Sequence, residues 1–285
     1  MTGPIIIVGC GRSGTTLLYR MMCCHPDLAW FSNLTDRWPS IPALAMLSNA
    51  YPPAASKRLE SRIIPIPSEG YPFWNALNRL DGLPADEPLN EHDVSTRATN
   101  VASERIGAIM RFQRKPRFVN KATRNVRRIR YVNALLPDAV FVNVVRDPRA
   151  TVASLLKVAF WPETTVWCEG NVTPRAWARM GKDQTELAAR LWAGDVTRAL
   201  TDRDAIDAGR IVDVRYEELV ADPWGIVADL GRSVGLPLTH AFERSCAAFR
   251  VDDRNRSFRS ELSPAQLDTI AEIAGPVAER IGYTW

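Results

Sequence analysis

Histidine and cysteine are scarce in this sequence, which has three histidines and five cysteines in 285 residues. The cysteines form no Cys-x-x-Cys pair, and no cluster of Cys, His and Asp has the spacing of metal ligands. We therefore expect no bound metal. An odd number of cysteines also argues against a disulfide framework and favours free thiols in a reducing, cytoplasmic environment.

Long apolar runs and a strong excess of one charge are missing as well. No apolar segment approaches the roughly 20 residues that span a bilayer, and the first residues lack the basic flank and cleavage pattern of a signal peptide. The 36 basic and 32 acidic residues leave a formal net charge of +4, which is too small to indicate a nucleic-acid-binding protein. Such a balance still permits a local basic pocket for a small anion.

The composition that remains is that of an ordinary globular protein, with 46% hydrophobic and 24% charged residues. We expect residues 1–285 to form one domain, with an insertion at about 36–112 and a C-terminal cap at about 250–285. Nine prolines lie between positions 36 and 92. Because dense prolines interrupt regular hydrogen bonding, they predict short helices and loops in this insertion.

The other segments alternate between predicted strands and helices, which favours an α/β protein whose parallel sheet is flanked by helices. Residues 5–8 are a β-branched run of the kind that is buried on both faces of such a sheet. Further strands are predicted at 118–120, 139–145 and 211–214. Helices are predicted at 17–22, 94–112, 125–136, 150–158, 182–203 and 223–234, and from the N-cap Ser263 onward. Three arginines, at 124, 127 and 128, lie opposite the apolar side of the helix predicted at 125–136 and indicate a solvated face.

A glycine-rich turn, residues 9–16, connects the first strand to the first helix, and it permits three interpretations. As Gly-x-Gly-x-x-Gly it matches a dinucleotide-binding loop, with Asp36 as the candidate ribose ligand. As Gly-x-x-x-x-Gly-Lys-Thr it lacks the lysine that binds β- and γ-phosphates, because Thr15 occupies that position. Backbone amides at a helix N-terminus, three hydroxyls and one guanidinium together describe a site for a compact anion.

In its Arg-Ser-Gly-Thr-Thr sequence the turn resembles the sulfotransferases that depend on 3′-phosphoadenosine 5′-phosphosulfate (PAPS), in particular the bacterial and tyrosylprotein-type members. This resemblance implies a P-loop NTPase-like fold with PAPS as co-substrate. It also implies a catalytic role for Arg12, whose charge contacts the phosphosulfate. The residues implied to hold the 5′-phosphosulfate are Arg12, Ser13, Gly14, Thr15 and Thr16.

A second segment, residues 144–154, is similar to the part of these sulfotransferases that binds the 3′-phosphate. There an arginine at a strand end and a serine eight residues later contact the phosphate, and the matching residues here are Arg146 and Ser154. The guanidinium group suits a phosphate, and Pro148 suits the first position of a helix. The alternative is a structural ion pair between Arg146 and Asp147.

Three weaker matches complete the resemblance. Tyr216 follows a predicted strand in a Tyr-Glu-x-Leu segment, and the resemblance places it beside the adenine. Arg256 and Arg259 fall where the family has a basic loop over the 3′-phosphate. Lys121 begins a segment that matches only in part.

The base that accepts the acceptor's proton is not evident from the match. The glutamate that tyrosylprotein-type enzymes place after His-Pro-Asp corresponds here to Ser32-Asn33, and neither residue can act as a base. Glu69 and Asp36 are the candidates, and Glu69 lies among aromatic residues and prolines that favour a raised pKa. His92 is a third candidate.

Taken together, the resemblance implies a sulfotransferase that moves a sulfuryl group by in-line displacement, without a metal, to a hydroxyl of a small-molecule, sugar or lipid-like acceptor. Aromatic residues of the insertion, with Phe160, Trp161 and Trp167, suggest a roomy acceptor pocket. Two alternatives stay open. A chain without the expected glutamate could bind 3′-phosphoadenosine 5′-phosphate (PAP) or PAPS without catalysis, and the Gly-x-Gly-x-x-Gly loop could belong to a dinucleotide-dependent oxidoreductase.

Overall fold

A computed structural model describes residues 3–51 and 64–285. These residues contain a five-stranded sheet with the order β2-β3-β1-β4-β5, in which every pair of neighbouring strands is parallel. The predicted α/β class is therefore confirmed. The strands are β1 (Ile5–Val8), β2 (Leu28–Ala29), β3 (Arg117–Lys121), β4 (Val140–Val145) and β5 (Ile211–Arg215).

Thirteen α-helices are found in the described part of the chain. They are α1 (Thr15–Met22), α2 (Asn33–Arg37), α3 (Tyr71–Leu80), α4 (Thr96–Gln113), α5 (Ile129–Leu135), α6 (Pro148–Leu155), α7 (Pro174–Arg179), α8 (Gln184–Arg203), α9 (Tyr216–Ala221), α10 (Pro223–Val234), α11 (His240–Ala247), α12 (Phe258–Glu261) and α13 (Pro264–Arg280). In the same residues no helix is long and apolar enough to cross a membrane.

Strand β1 lies at the centre of the sheet and is fully buried. Because successive side chains of a strand point to opposite faces, its four residues divide between two apolar cores. Ile6 and Val8 join the core formed with α3, α4 and α5, whereas Ile5 and Ile7 join the core formed with α1 and α10. Helices on both faces explain why the sequence of β1 is apolar at every position.

The order of the strands places a switch of direction at β1. After β1 the chain runs to β2 and β3 on one side of it, and then to β4 and β5 on the other. Crevices at the carboxyl ends of strands flanking such a switch are where α/β proteins bind ligands. Both motifs found in the sequence follow directly from β1 and β4.

The described part of the proline-rich stretch consists of short elements, as predicted, and the helix predicted at 94–112 is found as α4. The insertion contains 3₁₀ helices at Pro42–Ala50 and Glu91–Asp93 together with α2, α3 and the long α4. Positions 52–63, with two of the nine prolines, lie outside the described residues. The predicted C-terminal helix is confirmed as α13, where Ser263 and Gln266 form a reciprocal capping box.

The helix predicted at 125–136 is found only from Ile129 to Leu135, and the solvated arginine face predicted beside it is wrong. A 3₁₀ helix at Thr123–Arg127 is followed by a break at Arg128, and α5 begins at Ile129. The side chain of Arg128 is buried and donates to the carbonyl oxygens of Glu87 (2.8 Å) and Pro84 (3.0 Å). The insertion folds over this segment, so that carbonyl groups replace the solvent expected around the guanidinium.

Candidate active site

The turn between β1 and α1 is held in a conformation that its glycines permit. Gly9 and Gly14 have φ angles of 148° and 89°, which side chains disfavour. A Cβ atom on Gly14 would lie 2.3 Å from the Tyr216 ring, and one on Gly9 would lie 2.3 Å from the carbonyl oxygen of Val144. No side chain caps α1, so the backbone amides of its first turn are available to an anion.

Arg146 joins the second motif to this turn. It follows β4, is only 5% exposed, and one of its Nη atoms donates to the carbonyl oxygen of Arg12 at 3.0 Å. The other Nη donates to the carbonyl oxygen of Arg254 at 3.1 Å, and the guanidinium lies 4.1 Å from the centre of the Tyr216 ring. Burial lowers the pKa of Arg146, while the nearby Tyr216 and Glu217 act in the opposite direction.

Ser154 and Arg12 make the second link between the two motifs. Ser154 lies on α6, and its Oγ accepts a hydrogen bond of 3.0 Å from Nε of Arg12. The structural alternative for Arg146 does not hold, because Asp147 pairs with Arg149 instead, at 2.6 Å. Asp147 also caps α6.

These residues line a cleft of about 820 Å³. We call one end the glycine-loop half. The residues that form it are Gly11, Arg12, Gly14, Thr15, Thr16, Arg146, Ser154, Tyr216, Arg250, Val251, Asp252, Arg254 and Ser257. We call the other end the ion-pair half. The residues that form it are Glu69, Tyr71, Asp86, Lys121, Thr123, Arg124, Arg127, Phe160, Glu163, Thr164, Thr165, Leu191 and Asp195.

Glu69 is the best-connected carboxylate of the ion-pair half. Its Oε2 accepts a hydrogen bond from the Tyr71 hydroxyl at 2.6 Å, and its Oε1 forms an ion pair with Nζ of Lys121. Lys121 is 1% exposed, and burial lowers its pKa although Glu69 opposes this shift. A carboxylate held in this way stays close to the cleft in a fixed orientation.

Two further ion pairs lie in the same half. Arg124 lies 3.4 Å from a carboxylate oxygen of Asp86, and Nε of Arg127 lies 3.3 Å from a carboxylate oxygen of Asp195. Asp195 is buried in α8 and accepts a hydrogen bond of 2.8 Å from Nε1 of Trp167. Burial raises the pKa of Asp195, and the charge of Arg127 opposes this.

The structure brings most of the predicted site residues into the one cleft. The residues that line it are Arg12, Gly14, Thr15, Thr16, Glu69, Arg146, Ser154 and Tyr216. Ser13 is buried behind the turn and lines a smaller cavity together with Cys10.

Asp36 does not line this cleft. It lies on α2 and borders a separate cavity of about 500 Å³ with Phe31 and Phe73. Burial raises the pKa of Asp36 to about 6, with smaller opposing effects of the Ser68 hydroxyl and the Gly70 amide. Asp36 is therefore poorly placed either as the base or as a ribose ligand in the cleft.

The predicted basic loop contributes residues other than those expected. Arg256 and Arg259 are exposed and do not line the cleft, whereas Arg250 and Arg254 of the same segment do. His92 is exposed as well and pairs only with the neighbouring Glu91, at 3.5 Å. The run of basic residues identified the segment, but it could not show which arginines face inward.

Several residues of the cleft had no signal in the sequence. Arg127 and Asp195 are the clearest examples, because nothing in the sequence distinguishes either residue from an ordinary polar residue of a helix. Trp161 was expected in the acceptor pocket, but it is 1% exposed and belongs to the apolar core. Its neighbour Phe160 does line the cleft. Within residues 3–51 and 64–285, no group of three or more His, Cys, Asp or Glu side chains could hold a metal ion.

Comparison with known proteins relates this cleft to one family. A family model described as the sulfotransferase family matches residues 4–240. An omega-hydroxy-beta-dihydromenaquinone-9 sulfotransferase of Mycobacterium tuberculosis is 23% identical over 310 aligned positions, which cover 98% of this chain and 75% of that protein.

Solved structures show the same fold. The sulfotransferase STF9 from Mycobacterium avium superimposes with a TM-score of 0.64 at 17% identity, over 99% of this chain and 77% of that one. The sulfotransferase domain of the Synechococcus PCC 7002 olefin synthase gives a TM-score of 0.55 at 19% identity, over 100% and 97% of the two chains.

Proposed function

The chain belongs to the sulfotransferase family, and we propose that it transfers a sulfuryl group from PAPS to a hydroxyl group of a small-molecule acceptor. The observation that carries the proposal is the junction of the two motifs. Arg12 of the turn donates to Ser154, and Arg146 donates to the carbonyl oxygen of Arg12. Two segments that are far apart in the sequence, and that both resemble phosphate-binding motifs, thus face one cleft.

The glycine-loop half suits the donor, because three of the four arginines that line it face no carboxylate. The fourth, Arg254, lies 3.7 Å from a carboxylate oxygen of Asp252 on the exposed surface. Among the described residues, Arg12, Arg146 and Arg250 have no carboxylate within 4.0 Å. The uncapped N-terminus of α1 and the hydroxyls of Thr15 and Thr16 suit the 5′-phosphosulfate. A γ-phosphate is absent from PAPS, so the threonine in place of a P-loop lysine fits this ligand.

The second motif suits the other end of the nucleotide. Arg146 and Ser154 would hold the 3′-phosphate, and the ring of Tyr216 would lie beside the adenine. A planar guanidinium gives a phosphate two parallel hydrogen bonds. Because Arg146 is already fixed by two carbonyl oxygens, little of its side-chain entropy would be lost on binding.

Glu69 is the base in this proposal. The acceptor oxygen attacks sulfur, the bond from sulfur to the 5′-phosphate oxygen breaks, and the acceptor proton passes to Glu69. PAP leaves with the electron pair of the broken bond. Lys121 and Tyr71 hold Glu69 in place for the transfer, while Arg12 and the amides of α1 stabilise the negative charge that develops on the leaving phosphate.

The dinucleotide interpretation loses its support. It requires an acidic residue at the ribose, and its candidate, Asp36, borders a different cavity. It also gives no role to Arg146 and Ser154, which are joined to the turn by hydrogen bonds. The non-catalytic alternative rests on the missing glutamate at Ser32-Asn33, and Glu69 in the cleft supplies a carboxylate in its place.

Calorimetric titration with PAP, and with its analogue that lacks the 3′-phosphate, tests the donor site. We expect the loss of the 3′-phosphate to weaken binding by about 2–4 kcal/mol. Arg146→Ala should abolish this difference. Arg149→Ala is the matched control, since Arg149 belongs to the same segment but pairs with Asp147 outside the cleft. Equal affinity of the wild-type protein for both nucleotides would overturn the proposed donor site.

A further inference from the structure

The charges of the ion-pair half are matched within the protein. The cations that line it are Lys121, Arg124 and Arg127, and their partners are Glu69, Asp86 and Asp195 respectively. A fourth carboxylate, Glu163, pairs with Arg175 outside the cleft. Among the residues of this half that the structure describes, no cation is left to bind an anion, and no carboxylate is left to bind a cation.

Two of the three pairs, Lys121–Glu69 and Arg127–Asp195, contain buried side chains of the cleft wall, whereas Asp86 of the third pair lies at the rim with its side chain 45% exposed. The side chains of Lys121 and Asp195 are 2% exposed, and that of Arg127 is 10% exposed. Arg127 is held further by a hydrogen bond of 2.9 Å to the carbonyl oxygen of Asp86. A charged acceptor would have to break such a pair or remain without a partner at low dielectric, and either change is costly.

An apolar acceptor fits this half no better. Its lining includes the hydroxyls of Tyr71, Thr123, Thr164 and Thr165 besides the three ion pairs. Covering these groups with hydrocarbon would remove their water and provide no hydrogen bond in exchange. The apolar side chains of this half are few, and Phe160 at its edge is 60% exposed.

A neutral polyhydroxyl compound fits on both counts. Each hydroxyl donates one hydrogen bond and accepts others, so it can donate to a carboxylate and accept from the paired guanidinium without changing the charge balance. Hydrogen bonds to charged groups are the stronger ones. Phe160 would offer an apolar surface to the carbon face of a ring.

We propose that the acceptor is an uncharged, polyhydroxylated molecule of the sugar or glycoside class, which binds through its hydroxyls to the three ion pairs. This inference rests on the proposed function and narrows it to one class of acceptor. It separates this chain from the mycobacterial relative, whose name gives a hydroxylated menaquinone as its acceptor.

Three commercial probes test the inference at saturating PAPS. They are 4-nitrophenyl β-D-glucoside, the corresponding glucuronide, in which a carboxylate replaces the hydroxymethyl group at C6, and 1-octanol. Sulfated products are measured by mass spectrometry. We expect kcat/KM for the glucoside to exceed that for the glucuronide at least about tenfold, and that for octanol at least about a hundredfold, because octanol leaves the polar groups unpaired.

A substitution that frees one cation should shift this preference. In Asp86→Asn the partner carboxylate of Arg124 is lost, and we expect the ratio of kcat/KM values to move about tenfold towards the glucuronide. Asp229→Asn is the matched control. It breaks an Asp–Arg pair of the exposed surface, with Arg232, and changes the net charge equally, so its ratio should equal that of the wild-type protein.

The outcomes separate this inference from the function on which it rests. Faster sulfation of octanol or of the glucuronide, or sulfation of none of the probes by a protein that binds PAP through its 3′-phosphate, overturns the acceptor class and leaves the donor site intact. Failure to bind PAP overturns both. An equal shift in Asp86→Asn and Asp229→Asn would show that the ion pair does not select the acceptor.

Discussion

The two halves of the cleft differ in how their charge is arranged. In the glycine-loop half, Arg12 and Arg146 are positioned by the backbone and by neutral groups, and they face no carboxylate within 4.0 Å among the described residues. In the ion-pair half, Lys121 and Arg127 each face a carboxylate. A site for a polyanion keeps its positive charge available, whereas a site for a neutral molecule needs strong dipoles that are already balanced.

The two halves also differ in how they are built. The glycine-loop half comes mainly from two continuous segments, each starting at the carboxyl end of a central strand. The ion-pair half is assembled from segments of the insertion, of the β3–α5 connection and of α8. The proposed donor site is thus fixed by local backbone geometry and the proposed acceptor site by tertiary contacts, and substitutions can test each part of this contrast.

Glu69→Gln should have the largest effect. Glutamine keeps the shape and one hydrogen bond from Tyr71, but it cannot accept a proton. We expect kcat to fall by about 10²- to 10⁴-fold, while the affinity for PAP measured by calorimetry stays unchanged. Asp36→Asn provides the comparison, because it removes the other candidate base without touching the cleft. A Glu69→Gln enzyme with near wild-type turnover would remove Glu69 from the mechanism.

Gly14→Ala should weaken nucleotide binding in the glycine-loop half, at the other end of the cleft from Glu69. The new Cβ would lie 2.3 Å from the ring of Tyr216, in a residue with a φ of 89°, so both the turn and the ring must move. We expect the affinity for PAP to fall by about 2–3 kcal/mol.

The control for this change is Gly82→Ala. Gly82 also has a positive φ, 67°, but its Cβ would meet no atom within 4 Å. The Gly82→Ala variant should therefore carry the same kind of backbone strain as Gly14→Ala but bind PAP with the affinity of the wild-type protein. If both variants bound PAP like the wild-type protein, the close packing of the turn against Tyr216 would not matter for the donor site.

Asp195→Asn should weaken the ion-pair half selectively. Its carboxylate orients Arg127 in the cleft wall, so we expect KM for the acceptor to rise about tenfold with little change in PAP affinity. Asp202→Asn is a close control, because Asp202 is buried in the same helix and pairs with Arg198 at 2.9 Å away from the cleft. Both variants should lose stability. An equal rise in the KM for the acceptor in both variants would mean that Asp195 has only a structural role.

The same contrast explains what the sequence could predict. Arg146 and Ser154 could be found because a strand end and one helix fix their separation, and Gly14 because the turn requires its conformation. The pair of Lys121 and Glu69 joins residues 52 positions apart, and no periodicity connects them. The solvated face predicted for Arg128 failed for a related reason, since the carbonyl oxygens that bind its guanidinium come from the insertion. Pattern thus predicted four of the five described strands and the two motifs that line the cleft, whereas the proposed acceptor site depends on tertiary partners.

Asp36→Asn should have the smallest effect and concerns stability alone. Glu69 faces a cation, but Asp36 has no ion pair among the described residues, and burial raises its pKa to about 6. The folded state therefore holds the proton more tightly than the unfolded state, whose aspartate has a pKa of about 3.9. By linkage, the wild-type protein loses stability as pH rises from about 4 to 6 and shows no further loss from this group above that.

We expect urea unfolding to show Asp36→Asn gaining about 1–2 kcal/mol over the wild-type protein between pH 4 and pH 7, whereas the exposed Asp229→Asn should gain nothing. A gain that did not depend on pH would mean that the carboxylate of Asp36 is well solvated, and the contrast between a compensated carboxylate in the cleft and an uncompensated one behind it would fail.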